Sequence, residues 1–222
     1  NARSAVLEKL LKGEPLNIIL EHIVNFIEQE QTGSLCSVLL VNAQGTHLNA
    51  GFSSSRIPDD YNEAVDGIEI GDGVGSCGTA AFTKKRVIVE NIQTHSYWTN
   101  FKALAAKAQL GACWSEPIIG SNNQLLGTFA IYQRKPSMPT EHDFKLLEFA
   151  VQLSVIAIER NLSDKKIKLS SRVFSDTNEG LMITDTTGKI IDINPAFTRT
   201  TGYSRHEVLG QSLIHHCRCR PQ

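Results

Sequence analysis

The chain has 222 residues, 41% of them hydrophobic, and its 22 basic and 23 acidic side chains leave a net charge of −1. That length holds one large or two small domains with a real core, and the balanced charge argues against a polyanion-binding surface, so nucleic acid is not an expected partner. The five cysteines, an odd number, do not make a disulfide framework and fit a reducing, cytoplasmic setting.

Residues 1–12 are charged and amphipathic, unlike a cleaved leader, with Val6, Leu7, Leu10 and Leu11 at helical spacing. Gly13 stops this helix and Pro15 opens a second one at a tolerated first-turn position, with Leu16, Ile19, Leu20, Ile23, Phe26 and Ile27 as its apolar stripe. Residues 34–41 then read as a buried strand, Asn42-Ala43-Gln44-Gly45 as a hairpin turn, and 46–52 as the returning strand. A short helix from Pro58 and a strand over 68–70 follow.

Next comes Gly71-Asp72-Gly73-Val74-Gly75-Ser76-Cys77-Gly78, whose closely spaced glycines demand tight turns or a close backbone approach. Ser76 reads as the N-cap of a short helix through Phe82, which puts Cys77 in its first turn, where free N–H groups favour a thiolate. Lys84-Lys85-Arg86 reads as a solvated turn before a strand over 86–90. A polar and aromatic segment, His95-Ser96-Tyr97-Trp98, precedes a helix that Thr99 is expected to cap and that runs to Gln109. Residues 111–119 form a strand whose Pro117 marks an edge or a bulge, and 125–133 form the last strand of the set, with Gly127 inside it.

Thr140 and Asp143 resemble a capping box, and a long helix follows from Glu141 to about Ser171. Its first half is apolar nearly all round, more than one packing face requires, yet Lys145, Glu148 and Gln152 exclude a membrane span. Phe144, Leu147, Val151, Ile158 and Leu162 fit an interrupted heptad, so a parallel homodimer through helix 141–171 is expected. Beyond it lie two short strands around Asp185-Thr186-Thr187-Gly188, a helix opened by Asn194-Pro195 and another capped by Ser204 with Glu207.

Residues 15–160 resemble a GAF domain of bacterial sensor proteins. The carrying residues are Gly73-Val74-Gly75-Ser76-Cys77-Gly78-Thr79-Ala80, Val87-Ile88-Val89-Glu90-Asn91-Ile92, the 95–98 segment, Ala112-Cys113-Trp114-Ser115-Glu116-Pro117-Ile118 and Leu125-Leu126-Gly127-Thr128-Phe129-Ala130. The resemblance implies an α+β fold: a central antiparallel sheet, helices on one face, and loops on the other that shape a small-molecule pocket. Residues 169–213 resemble the start of a PAS domain, carried by Glu179-Gly180-Leu181-Met182-Ile183-Thr184-Asp185, Asn194-Pro195-Ala196-Phe197 and Thr201-Gly202-Tyr203-Ser204. The expected organisation is an N-terminal helix (1–14), a GAF domain (15–160), a helical linker (161–172) and an incomplete PAS segment with an atypical tail (173–222).

In such sensors the output follows the PAS module, as a diguanylate cyclase or phosphodiesterase of cyclic di-GMP signalling or as the histidine kinase of a two-component system. No such output signature is present, so a non-catalytic input module is expected. Its pocket candidates are Asp72, Cys77, His95, Tyr97, Trp98, Cys113, Trp114 and Glu116, with Cys77 and Cys113 as a redox pair. Haem and bilin are family ligands, but neither His95 nor the two cysteines stand in a diagnostic context, so no cofactor is assigned. His215, His216, Cys217 and Cys219 lie too close together to wrap one ion unaided, so no metal is assigned. The alternative is an enzyme: Cys77 in Gly75-Ser76-Cys77-Gly78-Thr79-Ala80 resembles a position of the GAF-fold free methionine sulfoxide reductases, where a thiolate attacks and a second thiol resolves.

Overall fold

The computed structural model describes residues 2–212, which divide into two compact units between Asn161 and Leu162. The first opens with α1 (Ala2–Lys12) and α2 (Leu16–Glu30), followed by β1 (Leu35–Val41), β2 (His47–Ser53), α3 (Asp59–Val65) and β3 (Ile68–Glu69). Then come α4 (Gly75–Thr83), β4 (Val87–Val89), a 3-10 turn (Ser96–Trp98), α5 (Lys102–Lys107), β5 (Ala112–Ile119), β6 (Leu125–Gln133) and α6 (Glu141–Asp176). The strands form one antiparallel sheet in the order β3-β2-β1-β6-β5-β4.

Because side chains alternate along a strand, the sheet separates two apolar layers. One joins α1, α2 and the first half of α6 to Cys36, Val38, Trp114, Ile118, Phe129 and Ile131. Phe26 and Phe149 meet edge-to-face at 5.6 Å and lock α2 to α6. The other layer lies under α3, α4, α5 and their loops and holds Leu39, Tyr61, Cys77, Trp98, Cys113, Ala130 and Tyr132. Gly127 permits the closest strand approach, since a Cβ there would lie 2.1 Å from the Leu39 carbonyl oxygen of β1.

Local expectations need adjusting where distant partners intervene. Pro15 is the N-cap of α2 rather than a first-turn residue, and the helix after Trp98 starts at Lys102 with Phe101, not Thr99, before it. Pro117 lies beyond the end of β4, which pairs with β5 only as far as Ser115, so its missing N–H costs no ladder bond on that side. Arg86 is not a solvated turn residue. Its side chain is largely covered, pairs with Glu116 and with Glu148 at 2.9 Å, and lies over the Phe144 ring at 4.6 Å. The capping box of α6 is present, with Thr140 N and Oγ1 donating to Asp143 Oδ2 at 2.7 and 2.8 Å.

The heptad seam expected on α6 is corrected. Leu147 and Ile158 are 1% and 4% exposed, packed into the layer over α2 and the sheet, so they cannot also meet a second copy. The apolar side chains that α6 does turn outward are Ile156, Leu162, Ile167, Leu169 and Val173.

In the second unit α6 runs without a break through 161–172, and β7 (Met182–Thr184), β8 (Ile190–Ile193), α7 (Pro195–Thr201) and α8 (Arg205–Val208) follow. Asp185 Oδ1 accepts the Thr187 and Lys189 N–H groups at 2.8 and 2.9 Å, and Gly188 takes φ +79° to close the hairpin. Asn194 caps α7 by accepting from Phe197 N at 2.9 Å. The core here is small, Ile190, Ile193 and Val208 with Met182, Phe197 and Tyr203 against it. Among the described residues this unit's sheet has two strands, which alone bury little. The tail residues 215–219 lie outside the described residues.

Candidate functional site

The glycine-rich loop delivers Cys77 to the inner layer. Gly73 and Gly75 take φ of +74° and +58°, values that side chains disfavour, and a Cβ on Gly78 would lie 2.8 Å from the Glu69 carbonyl oxygen. Helix α4 therefore starts at Gly75, with Val74 as its N-cap. Ser76 is not the cap that its type suggests. It sits inside the first turn, and its Oγ accepts the Trp98 indole N–H at 2.9 Å. Cys77 follows as the third residue of the helix, where unpaired N–H groups favour negative charge.

Around Cys77 Sγ the protein places several donors. Ser115 Oγ of β5 stands 3.5 Å away, and Cys113, on the same face of that strand, packs in the same layer as Cys77. Tyr132 of β6 lines one cavity with Cys77, and Thr128 lies on the same face of that strand. Thr128 Oγ1 is fully buried and has no hydrogen-bond partner among the described residues. The Cys113 hydrogen bond, helped by Ser115, Thr128 and Tyr132, overcomes the cost of burial and lowers the Cys77 pKa to about 7. Burial, reinforced by the hydrogen bond to Cys77, pushes Cys113 well above the usual thiol range. Burial also keeps the phenols of Tyr61 and Tyr132 protonated and able to donate. Their rings meet edge-on at 6.0 Å, and Tyr132 Oη lies 3.3 Å from Ser37 Oγ.

A cavity of about 20 Å³ adjoins this centre, lined by Leu39, Tyr61, Val65, Ile68, Val74, Gly75, Ser76, Cys77, Trp98, Phe101 and Tyr132. That volume admits roughly one water-sized molecule. An organic ligand would have to displace side chains to enter.

Of the expected site residues, Cys77 and Trp98 line the cavity and Cys113 stands behind Cys77. Tyr97 packs half-buried beside the inner layer. His95 is committed to the chain itself: its Nδ1 accepts from Tyr97 N at 3.2 Å and its ring stands 4.6 Å from the tyrosine's. Asp72 is exposed on the loop. Trp114 and Glu116 are corrected, because strand alternation turns them to the opposite face. There Trp114 Nε1 donates to Ser137 O at 3.2 Å and Glu116 pairs with Arg86. Tyr61, Ser115, Thr128 and Tyr132 were not anticipated. The period-2 pattern of β5 and β6 carries a signal for the last three, since Cys113 and Ser115 share a face. Among the described residues no group of three His, Cys, Asp or Glu side chains is placed to hold a metal ion, and no helix is long and apolar enough to cross a membrane.

A family model described as GAF domain matches residues 13–159, and one described as PAS fold matches 169–217. The methyl sulfide methyltransferase-associated sensor of Methanosarcina acetivorans is 33% identical over 213 residues. The match covers 94% of this chain, which spans only 21% of that protein. Among solved structures, the GAF domain of an Acinetobacter phosphoenolpyruvate-protein phosphotransferase superposes with a TM-score of 0.59 at 15% identity, covering 73% of this chain and 93% of that one. A free methionine-R-sulfoxide reductase from Neisseria meningitidis, in complex with its substrate, gives a TM-score of 0.55 at 14% identity, covering 71% and 84%. Both likenesses are of fold.

Proposed function

The chain belongs to the GAF domain family, and on that premise we propose that it is the sensory input module of a signalling protein, receiving a signal in the inner layer and passing it through α6 to an output domain outside the chain. The sensor-named relative and the GAF and PAS matches support the signalling part of this reading. The observation that carries the rest is the double-sided wiring of β5. Cys113 and Ser115 face Cys77, while Trp114 and Glu116, alternating with them, face α6 and the segment that leads into it. A shift of β5 forced from one face is therefore felt on the other. Such a relay needs two arrangements of α6 with different free energies for the two states of the site.

In this proposal the module works in a reducing cytoplasm, and α6 pairs with a second copy through its outward residues Ile156, Leu162, Ile167, Leu169 and Val173. The output it addresses is a cyclase, a phosphodiesterase or a kinase. The reductase alternative draws on the Cys77 setting, but a cavity of about 20 Å³ is too small for free methionine sulfoxide, which favours the sensory reading.

Filling the cavity from within tests the relay. Val65→Phe should stand in for an occupant, and hydrogen exchange of amides 141–161 should then change by threefold or more while those of α2 do not. Unchanged exchange in α6 with a fully folded variant would overturn the reading.

A further inference from the structure

We propose that Cys77 and Cys113 form a peroxide-reactive pair, in which Cys77 is oxidised by a small hydroperoxide and Cys113 resolves the product to a disulfide. The proposal deepens the sensory reading by naming the chemical class of the signal, and it rests on the inner cavity being the input site.

Four observations converge on it. Cys77 of α4 and Cys113 of β5 pack in the same apolar layer, and Cys113 shares its strand face with Ser115, whose Oγ lies 3.5 Å from Cys77 Sγ, so a resolving thiol needs no large motion. The cavity beside Cys77 holds about 20 Å³, enough for a molecule near the size of water and too little for a metabolite. Cys77 keeps 7% of its surface exposed, whereas Cys113 and Cys36 are fully buried, so an oxidant reaches Cys77 first. Thr128 Oγ1, buried with no hydrogen-bond partner, alternates with Ala130 and Tyr132 on the β6 face turned to this layer, and Ser115 Oγ stands 3.5 Å from the sulfur. An orphaned hydroxyl in a core is costly, and it gains a strong acceptor when the sulfur carries charge.

The chemistry balances with the hydroperoxide as sole oxidant. The Cys77 thiolate attacks one peroxide oxygen. An S–O bond forms, the O–O bond breaks, and the departing hydroxide or alkoxide carries the electron pair away, leaving sulfenic acid. The Cys113 sulfur then attacks the Cys77 sulfur. An S–S bond forms, the S–O bond breaks, and the hydroxide leaves as water with the Cys113 proton. Sulfur has lost two electrons and the peroxide has gained them.

The test treats the reduced full chain with equimolar hydrogen peroxide, alkylates it at intervals and maps the peptides. The expected result is a Cys77–Cys113 cross-linked peptide, formed at least tenfold faster than any oxidation of Cys36. Cys113→Ser should halt at a sulfenic acid on Cys77 that dimedone traps. Cys77→Ser should leave Cys113 unreactive. Cys77 reacting no faster than Cys36, or a disulfide between other positions, would overturn the proposal. Inert thiols together with a Val65→Phe effect on α6 would leave the sensory reading standing without this chemistry. A clean disulfide with unchanged α6 exchange would do the reverse.

Discussion

Ser115 and Glu116 are neighbours on β5 that serve opposite faces of the sheet: the Ser115 hydroxyl lies 3.5 Å from Cys77 Sγ, and the Glu116 carboxylate is held by Arg86, which also reaches Glu148 of α6 at 2.9 Å. One peptide unit thus separates the thiol centre from the ion pairs that tie the sheet to the long helix. Glu159 adds a second tie, accepting from Ser121 N and Oγ at 2.7 and 2.8 Å at the turn between β5 and β6.

Removing the first tie should loosen α6 without touching the thiols. Arg86→Met leaves Glu116 partly covered and without its cation, at a cost of about 1–3 kcal/mol. Thermal melts should show Tm falling by about 2–4 °C per kcal/mol, with the rate of Cys77 alkylation unaltered.

The lowered pKa of Cys77 sets the sign of a pH effect. Thiolate forms as pH rises past about 7, so alkylation of Cys77 should climb through that pH and level off, instead of climbing until about 9 as an ordinary thiol does. The same shift contributes stability that is fully present above the unfolded thiol's pKa and is lost as pH falls through about 7. Denaturation midpoints of the protein relative to Cys77→Ser should therefore rise between about pH 7 and 9. Thr128→Val and Ser115→Ala should each move the alkylation inflection upward.

Gly127→Ala should cripple the sheet. The added Cβ would meet the Leu39 carbonyl oxygen at 2.1 Å, backbone that cannot yield, and the expected cost is about 3 kcal/mol or more in urea denaturation.

The two faces of α6 should respond differently to substitution. Leu147→Ala, deep in the layer over α2, should cost about 2–5 kcal/mol of stability. Leu169→Asp, on the outward face, should leave the melt nearly unchanged while shifting the sedimentation coefficient from dimer to monomer.

Much of this fold was legible because local signals agreed with the packing. The hairpin at Asn42–Gly45, the Thr140 capping box and the Asn194-Pro195 helix start all follow from residue types at fixed offsets. The site was less legible. Ala112, Cys113, Trp114 and Ser115 are all buried, so polarity does not reveal which of them faces which layer, and Trp114 and Glu116 were assigned to the wrong side. Ser76 has the composition of a cap, but its hydroxyl is taken by Trp98, far away in sequence. The seam on α6 failed for a related reason: heptad spacing marks an apolar stripe but does not say whether the sheet or a second helix covers it.

The most direct test of the coupling is hydrogen exchange of amides 141–161 in the full chain, measured as the Cys77–Cys113 disulfide is driven from absent to complete with hydrogen peroxide. The account predicts that exchange in this part of α6 changes in proportion to the disulfide formed, and that Arg86→Met blunts the change. Full disulfide formation with an α6 exchange pattern identical to that of the reduced protein would contradict it.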